Sequence, residues 1–200
     1  MEFSIKSVGP DKAGCDCVVV GVFDSRQLSA PAQEVDKAAG GHLAGILRRG
    51  DMEGKGGSTL LVHGVPGIAA SRVLLVGLGK QAEFGEKAYR DAVAASVRAL
   101  RDSASKSILI TLSELPVAGQ DAAWRARQAV LAVSDALYRS DQLKSKIENA
   151  RALSAIAFSA TAKEARAAGA GLAQGMAIAQ GMDLARELGN LPANICTPTY

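Results

Sequence analysis

The sequence has 200 residues, of which 48% are hydrophobic and 22% are charged, and its formal net charge is +3. These proportions are typical of a globular protein of one or two domains and exclude a disordered chain. The small net charge is spread along the chain and does not by itself indicate nucleic-acid binding. The sequence contains no run of 18 apolar residues, so it predicts no membrane span.

The first half of the chain alternates short apolar segments with glycine-rich breaks, a pattern typical of strands. Apolar and polar residues alternate from Phe3 to Val8, which predicts a half-buried strand. The continuous β-branched run Cys17–Val22 predicts a fully buried strand. Helix-forming residues extend from Pro31 to Arg49, and Gly50 is a suitable stop. The remaining predicted elements of this half are the turn Gly54–Ser58 and the strands Thr59–Val62 and Arg72–Val76.

The second half changes to the 3.6-residue period of amphipathic helices. Apolar stripes predict one helix that starts near Glu86 and reaches Leu100, and a second over Ala126–Leu137. Strands are predicted over Ser107–Leu112 and Ser154–Phe158. The order of these elements predicts an α/β fold with a mixed sheet flanked by helices.

A long helical segment is predicted from Thr161 to Leu188, and it differs from the others because it is apolar on two faces. A helix of this kind is usually buried between layers or between domains. The breaker cluster Asn190–Asn194 follows this segment, and the chain then stops at Tyr200 with no polar tail. We therefore expect the first part of a longer protein, with a domain boundary near residues 160–190. The first face carries Leu172, Met176, Ala179 and Met182, and the second carries Ile178, Ala185 and Leu188.

Two glycine-rich segments have some likeness to phosphate-binding loops. Gly77–Ala82 matches the dinucleotide fingerprint G-x-G-x-x-A. However, it follows about the fourth strand, helical periodicity starts only near Glu86, and no acidic residue ends a strand about twenty residues later. Gly54–Ser58 lacks the P-loop spacing because Arg49 stands where a glycine is required. We predict a tight loop that closes a strand for the first segment and a hairpin turn for the second.

No residue pattern predicts a catalytic, cofactor-binding or metal site in this chain. Cys15 and Cys17 have no second Cys or His pair at zinc spacing, so Cys17 is expected to face a core. The two histidines, His42 and His63, lie in neither an H-E-x-x-H nor a G-x-S-x-G context. The odd, sparse cysteine set, completed by Cys196, and the lack of a signal-peptide pattern predict a cytoplasmic location.

The segment Met182–Tyr200 resembles the start of the catalytic domain in the leucine aminopeptidase (cytosol aminopeptidase) family. The likeness rests on Ala-Arg-x-Leu, then Asn-x-Pro-Ala-Asn and Thr-Pro. Val73–Lys80 is similar to the strand and glycine loop of that family's N-terminal domain. Ala136–Lys146 is similar to its Tyr-Arg-Phe-Asp-x-Leu-Lys-Ser-Lys segment, from which Ser140 departs. The three stretches occur in the family's order.

The resemblance implies a macro-domain-like α/β domain over residues 1–160, a connector helix over 161–188, and the start of a truncated catalytic domain over 189–200. It further implies a hexameric enzyme that uses two divalent ions, Mn or Zn, to remove N-terminal residues, often Leu, from peptides. The family's ligand motif Asn-Thr-Asp-Ala-Glu-Gly-Arg is absent from this chain. The chain is therefore expected to be a non-catalytic portion that serves assembly and active-site access. Its expected partners are its own catalytic domain, further copies of itself and, in the whole enzyme, peptides.

Two alternative functions stay open from the sequence. The chain could be a binding module for DNA or for an ADP-ribose-like ligand, since the charge permits the first and Gly77–Ala82 permits the second. It could also be a purely structural domain, because fold analogy alone does not establish a function. A salt-dependent gel shift would test DNA binding, and calorimetry would test the nucleotide.

Overall fold

The computed structural model describes residues 1–140, 153–192 and 194–197, which form a seven-stranded sheet between two helical layers. The strands are β1 (Glu2–Lys6), β2 (Cys17–Phe23), β3 (Gln27–Leu28), β4 (Thr59–His63), β5 (Arg72–Gly79), β6 (Ser107–Ile110) and β7 (Ala155–Ser159). The helices are α1 (Ala30–Ala38), α2 (His42–Arg49), α3 (Glu86–Leu100), α4 (Ala122–Leu137) and α5 (Ala165–Asn190). The predicted fold class, a mixed sheet flanked by helices, is confirmed.

The sheet is mixed but mostly parallel. Its order is β1-β7-β6-β2-β5-β4, and β3 pairs with the end of β2. Strands β1, β7, β6, β2 and β5 run parallel, whereas β4 and β3 are antiparallel to their neighbours. The carboxyl ends of the parallel strands therefore meet at one edge of the sheet.

The central strand β2 explains why the sequence shows an apolar run there instead of an alternating pattern. All of its residues are buried, and successive side chains of a strand point to opposite faces. Cys17 and Val19 contribute to the core beneath α3, α4 and α5. Val18 and Val20 contribute to the core beneath α1 and α2. Because both faces are covered, neither set of positions can be polar.

The segment Pro31–Arg49 forms two helices and not one continuous stretch. Gly40 and Gly41 adopt positive φ angles of 63° and 83°, a backbone conformation that glycine tolerates without steric cost. This pair separates α1 from α2. The predicted stop at Gly50 is correct, and its φ of 90° also lies in the left-handed region.

Four strands begin or end at residues other than those predicted. β6 stops at Ile110 because the chain turns into a 3-10 helix, in which Thr111 Oγ1 donates to the Val19 carbonyl (2.7 Å). β5 continues three residues beyond Val76, and β1 ends two residues before Val8. β7 is shifted by one residue relative to its prediction.

The apolar stripes predicted for α3 and α4 are buried, as expected. Tyr89 of α3 is fully buried, and its hydroxyl donates to the Arg125 carbonyl of α4 (2.9 Å). Trp124, which lies off the α4 stripe, packs on the Tyr89 ring with the ring centroids 5.9 Å apart. Aromatic contacts thus fasten α4 to α3, although the chain has few aromatic residues.

Helix α5 lies along α4 in the same direction, at a separation that requires glycine. A Cβ atom at Gly171 would lie 2.0 Å from the Ala123 carbonyl oxygen, and one at Gly175 would lie 2.9 Å from Val130 Cβ. Glycine in a helix interior costs about 1 kcal/mol relative to alanine. The close backbone contact with α4 explains why glycine occurs at these positions despite its low helix propensity. The helix begins at Ala165 and ends at Asn190, against the predicted range of 161–188.

Candidate functional site

The two glycine-rich segments lie side by side at the carboxyl end of β5 and hydrogen-bond to each other. The Gly77 amide donates to the Ser58 carbonyl (2.8 Å), and the Gly79 amide donates to the Gly54 carbonyl (2.9 Å). A Cβ atom at Gly77 would lie 2.0 Å from the Lys55 carbonyl oxygen. These backbone amides are already partnered, so they are not available to bind a pyrophosphate in this conformation. Helix α3 begins seven residues after Gly79.

A surface depression of about 480 Å³ opens next to these segments. It is lined by Asp24, Ser25, Arg26, Glu53 and Lys55. Ser25 and Arg26 adopt positive φ angles of 62° and 64°, and Lys55 Nζ lies 3.1 Å from Glu53 Oε2. The two acidic and two basic side chains cancel in formal charge. The depression therefore lacks the excess positive charge that favours a phosphorylated ligand.

The sequence candidates for metal or nucleophilic chemistry are dispersed. Cys17 is buried in the core, as predicted, and burial raises the pKa of its thiol to about 12. Burial also raises the pKa of Cys15. His42 begins α2, whereas His63 ends β4. Within residues 1–140, 153–192 and 194–197, no group of three or more His, Cys, Asp or Glu side chains fits a metal ion.

Sequence reasoning did not single out Arg125, a buried cation that connects three elements. It is 6% exposed. Its Nε donates to the Ser113 carbonyl (2.8 Å), and its Nη2 donates to Glu164 Oε1 (2.7 Å) immediately before α5. Burial raises the pKa of the neighbouring Glu114. The available signal was spacing: Arg125 lies four residues before Ala129 of the α4 apolar stripe, and residues four apart share one face of a helix.

The clearest candidate for an interaction surface is the set of large apolar side chains that α5 exposes to water between residues 178 and 188. We define the α5 outer face as Ile178, Met182, Leu184 and Leu188, whose exposed fractions are 44%, 37%, 58% and 39%. A stripe of small residues on the same helix, formed by Ala168, Gly171, Gly175 and Ala179, is buried. The prediction of two apolar faces is therefore confirmed for Leu172 and Ile178, which lie on different sides. Met182 lies three residues after the buried Ala179, on the face predicted for it, but it is 37% exposed.

Two of the segments that carry the family resemblance lie only partly within the described residues. The part of the Ala136–Lys146 segment beyond residue 140 lies outside the described residues. The described residues of Met182–Tyr200 begin in the last turns of α5 and continue into a turn around Ile195. None of the described helices is long and apolar enough to cross a membrane.

Comparison with known proteins identifies relatives along the whole chain. A family model described as "Cytosol aminopeptidase family, N-terminal domain" matches residues 19–147. A "Probable cytosol aminopeptidase" of Dechloromonas aromatica (strain RCB) is 50% identical over 208 residues, and one of Paraburkholderia phytofirmans is 49% identical over 209 residues. Each match covers 100% of this chain but 41% of the relative. The chain thus spans about two fifths of the length of these curated relatives.

Among the solved proteins with similar structures are two enzymes. The bottromycin maturation enzyme BotP has a TM-score of 0.66 and 30% identity, with coverage of 92% of this chain and 35% of that chain. A second structure of that enzyme is described as a complex with Mn. A mutant of tomato leucine aminopeptidase has a TM-score of 0.77 and covers 100% of this chain and 40% of that chain. At 22% identity, the tomato likeness shows the fold alone.

Proposed function

The chain belongs to the cytosol aminopeptidase family as its N-terminal domain, and from this premise we propose that it is the non-catalytic portion of a metal-dependent aminopeptidase. The observation that carries the proposal is the extent of the match. The whole chain aligns with its relatives, yet it accounts for 41% of their length. We assign catalysis to the portion of the protein that corresponds to the rest of those relatives.

We propose that this portion serves assembly and access to the active site. The α5 outer face supports this role, because four large apolar side chains on consecutive turns remain partly in water. Covering them would contribute on the order of 3 kcal/mol of binding free energy. The proposed organisation is an α/β domain over residues 1–160, a connector over 161–188 and the start of the catalytic domain over 189–200.

For the whole protein, we propose a cytoplasmic hexamer that removes N-terminal residues, often Leu, from peptides. Two divalent ions, Mn or Zn, would supply the activated water and polarise the scissile carbonyl. The similarity to an enzyme described in complex with Mn supports metal dependence. The described residues of this chain do not fit such a centre, so no catalytic step is assigned to them. The proposed kinship of the α/β domain with macro domains rests on the family resemblance.

The proposal is tested by comparing the 200-residue chain with a chimera in which it replaces the matching portion of the Dechloromonas aromatica relative. The measurement is release of the chromophore from a leucyl anilide in the presence of Mn or Zn. We expect chelator-sensitive turnover by the chimera and none by the chain alone. The unmatched portion of the relative, expressed separately, is the control for assembly and access.

Metal-dependent turnover by the purified chain, even at a few per cent of the chimera's rate, would show that the catalytic centre has been assigned to the wrong portion. An inactive chimera beside an active, intact relative would contradict the proposed equivalence of the two N-terminal portions. If the unmatched portion alone is as active as the chimera, this chain has no role in assembly or access.

A further inference from the structure

The C-terminal half of α5 is attached to the domain differently from its N-terminal half. Up to Ala179, small residues of α5 are buried against α4, but none of the eleven residues 180–190 is buried. In these last three turns, specific polar contacts connect the helix to α4. They involve Arg186 and Asn190 on α5, and Asp135 and Tyr138 at the end of α4. We call these four residues the Arg186 joint.

Arg186 makes the central contacts of the joint. Its Nη2 donates to Asp135 Oδ1, and its Nη1 lies 3.8 Å from Asp183 Oδ1. The guanidinium carbon lies 5.0 Å from the centroid of the Tyr138 ring. Asn190 Nδ2 donates to the Tyr138 hydroxyl (3.0 Å) and completes the joint. A planar guanidinium can satisfy a carboxylate and stack on an aromatic ring at the same time, which an ammonium group cannot do.

The position of the cation also has an electrostatic reason. Helices α4 and α5 run in the same direction and end beside each other, at Leu137 and Asn190. The carboxyl end of a helix carries a partial negative charge, so two adjacent ends repel each other. Arg186 places a full positive charge in the last turns, next to both ends. Its side chain is 30% exposed, so water screens this interaction less than it screens a fully exposed pair.

We propose that Arg186 is a positioning residue that holds the last three turns of α5, and with them most of the α5 outer face, in a fixed direction relative to the domain. Met182, Leu184 and Leu188 lie in these turns. Because none of the residues in these turns is buried, we assign to the polar contacts of the joint the role of holding the turns against α4. The consequence for catalysis, that the face is presented correctly to the catalytic portion, rests on the proposed function. The local role of Arg186 does not.

Hydrogen exchange of the 200-residue chain, followed by mass spectrometry, tests the local role. We expect Arg186→Ala to accelerate exchange of amides 180–190 about tenfold or more, while amides 165–179 and the sheet keep their protection. Arg166→Ala is the matched control, because Arg166 is an exposed arginine in the first turn of the same helix. The control is expected to leave exchange of 180–190 unchanged.

Two further variants distinguish positioning from a general loss of stability. Arg186→Lys keeps the charge without the planar group and should restore protection only in part. Exchanging the charges, with Asp135→Arg and Arg186→Asp together, should restore more protection than either single change. Unchanged exchange in Arg186→Ala, or acceleration spread equally over α4 and the sheet, would overturn the proposal. None of these measurements depends on catalysis. The exchange result can therefore be interpreted even if the proposed function is wrong.

Discussion

At the scale of single residues, Asp16 connects the beginnings of two parallel strands. Its Oδ2 accepts hydrogen bonds from the Lys106 amide (2.8 Å), the Ser107 amide (2.9 Å) and Ser107 Oγ (3.1 Å). Its backbone carbonyl accepts another from Ser71 Oγ (2.9 Å). The backbone hydrogen bonds from Ser107 and Lys106 lower the pKa of the Asp16 carboxyl. The carboxylate, bound by both amides, therefore holds β2 and β6 in register.

Asp16→Asn is expected to lower the free energy of unfolding by about 1–2 kcal/mol at pH 7, because a neutral amide is a weaker acceptor. The pKa of Asp16 is lower in the folded state than its unfolded value of about 3.9. Its contribution is therefore complete above that pH and is lost as the pH falls through the folded-state pKa. The difference between wild type and variant should shrink below about pH 4.

Urea unfolding at pH 7 and at pH 3 measures both expectations for Asp16. Asp102→Asn serves as the control, since Asp102 is 82% exposed and pairs with its neighbour Arg101. It should change stability by less than about 0.5 kcal/mol. A pH-independent difference between wild type and Asp16→Asn would show that the carboxylate charge contributes nothing there.

At the scale of secondary-structure elements, the helix pair α4 and α5 determines what the glycines of α5 do. Gly171 and Gly175 contact α4 directly, whereas a Cβ atom at Gly181 would meet nothing within 4 Å. In the sequence, these three glycines cannot be distinguished, because all three lie inside the same predicted helical segment. The structure separates them by their distance from another backbone, so one kind of substitution should have opposite effects at different positions.

Gly171→Ala is expected to destabilise the chain by about 2–3 kcal/mol, because the new methyl group must push α4 and α5 apart. Gly181→Ala should stabilise it by up to about 1 kcal/mol through helix propensity. Denaturant unfolding of the two variants measures the contrast within one helix. Equal effects at both positions would mean that the close approach of the helices does not exist in solution.

At the scale of the whole molecule, the described residues combine a core on both faces of the sheet with a helix, α5, whose second half exposes large apolar side chains. The sheet buries apolar residues against helices on both faces. The α5 outer face is the part of the described surface where several large apolar side chains are exposed on one helix. This contrast predicts that changes in the face alter association with the rest of the protein more than they alter folding.

Met182→Ser combined with Leu188→Ser should change the unfolding free energy of the isolated chain by less than about 1 kcal/mol, because both positions are already partly in water. In the chimera, the same pair should reduce leucyl anilide turnover or assembly. Val133→Ala, at a position that is 0% exposed, provides the contrast and should cost about 2 kcal/mol. Full activity and assembly of the doubly substituted chimera would contradict this role for the face.

Local patterns in the sequence determined the fold class, the buried strand β2 and the stripes of α3 and α4, because side-chain periodicity follows directly from strand and helix geometry. The motifs around Arg186 and Pro192 carried the family resemblance, although they indicated no catalytic residue in this chain. Only the tertiary structure decided which residues meet across long separations, such as Arg125 with Glu164 and Arg186 with Asp135. Those partners lie 39 and 51 positions apart, and sequence spacing cannot encode such a contact before the sheet and helices have packed.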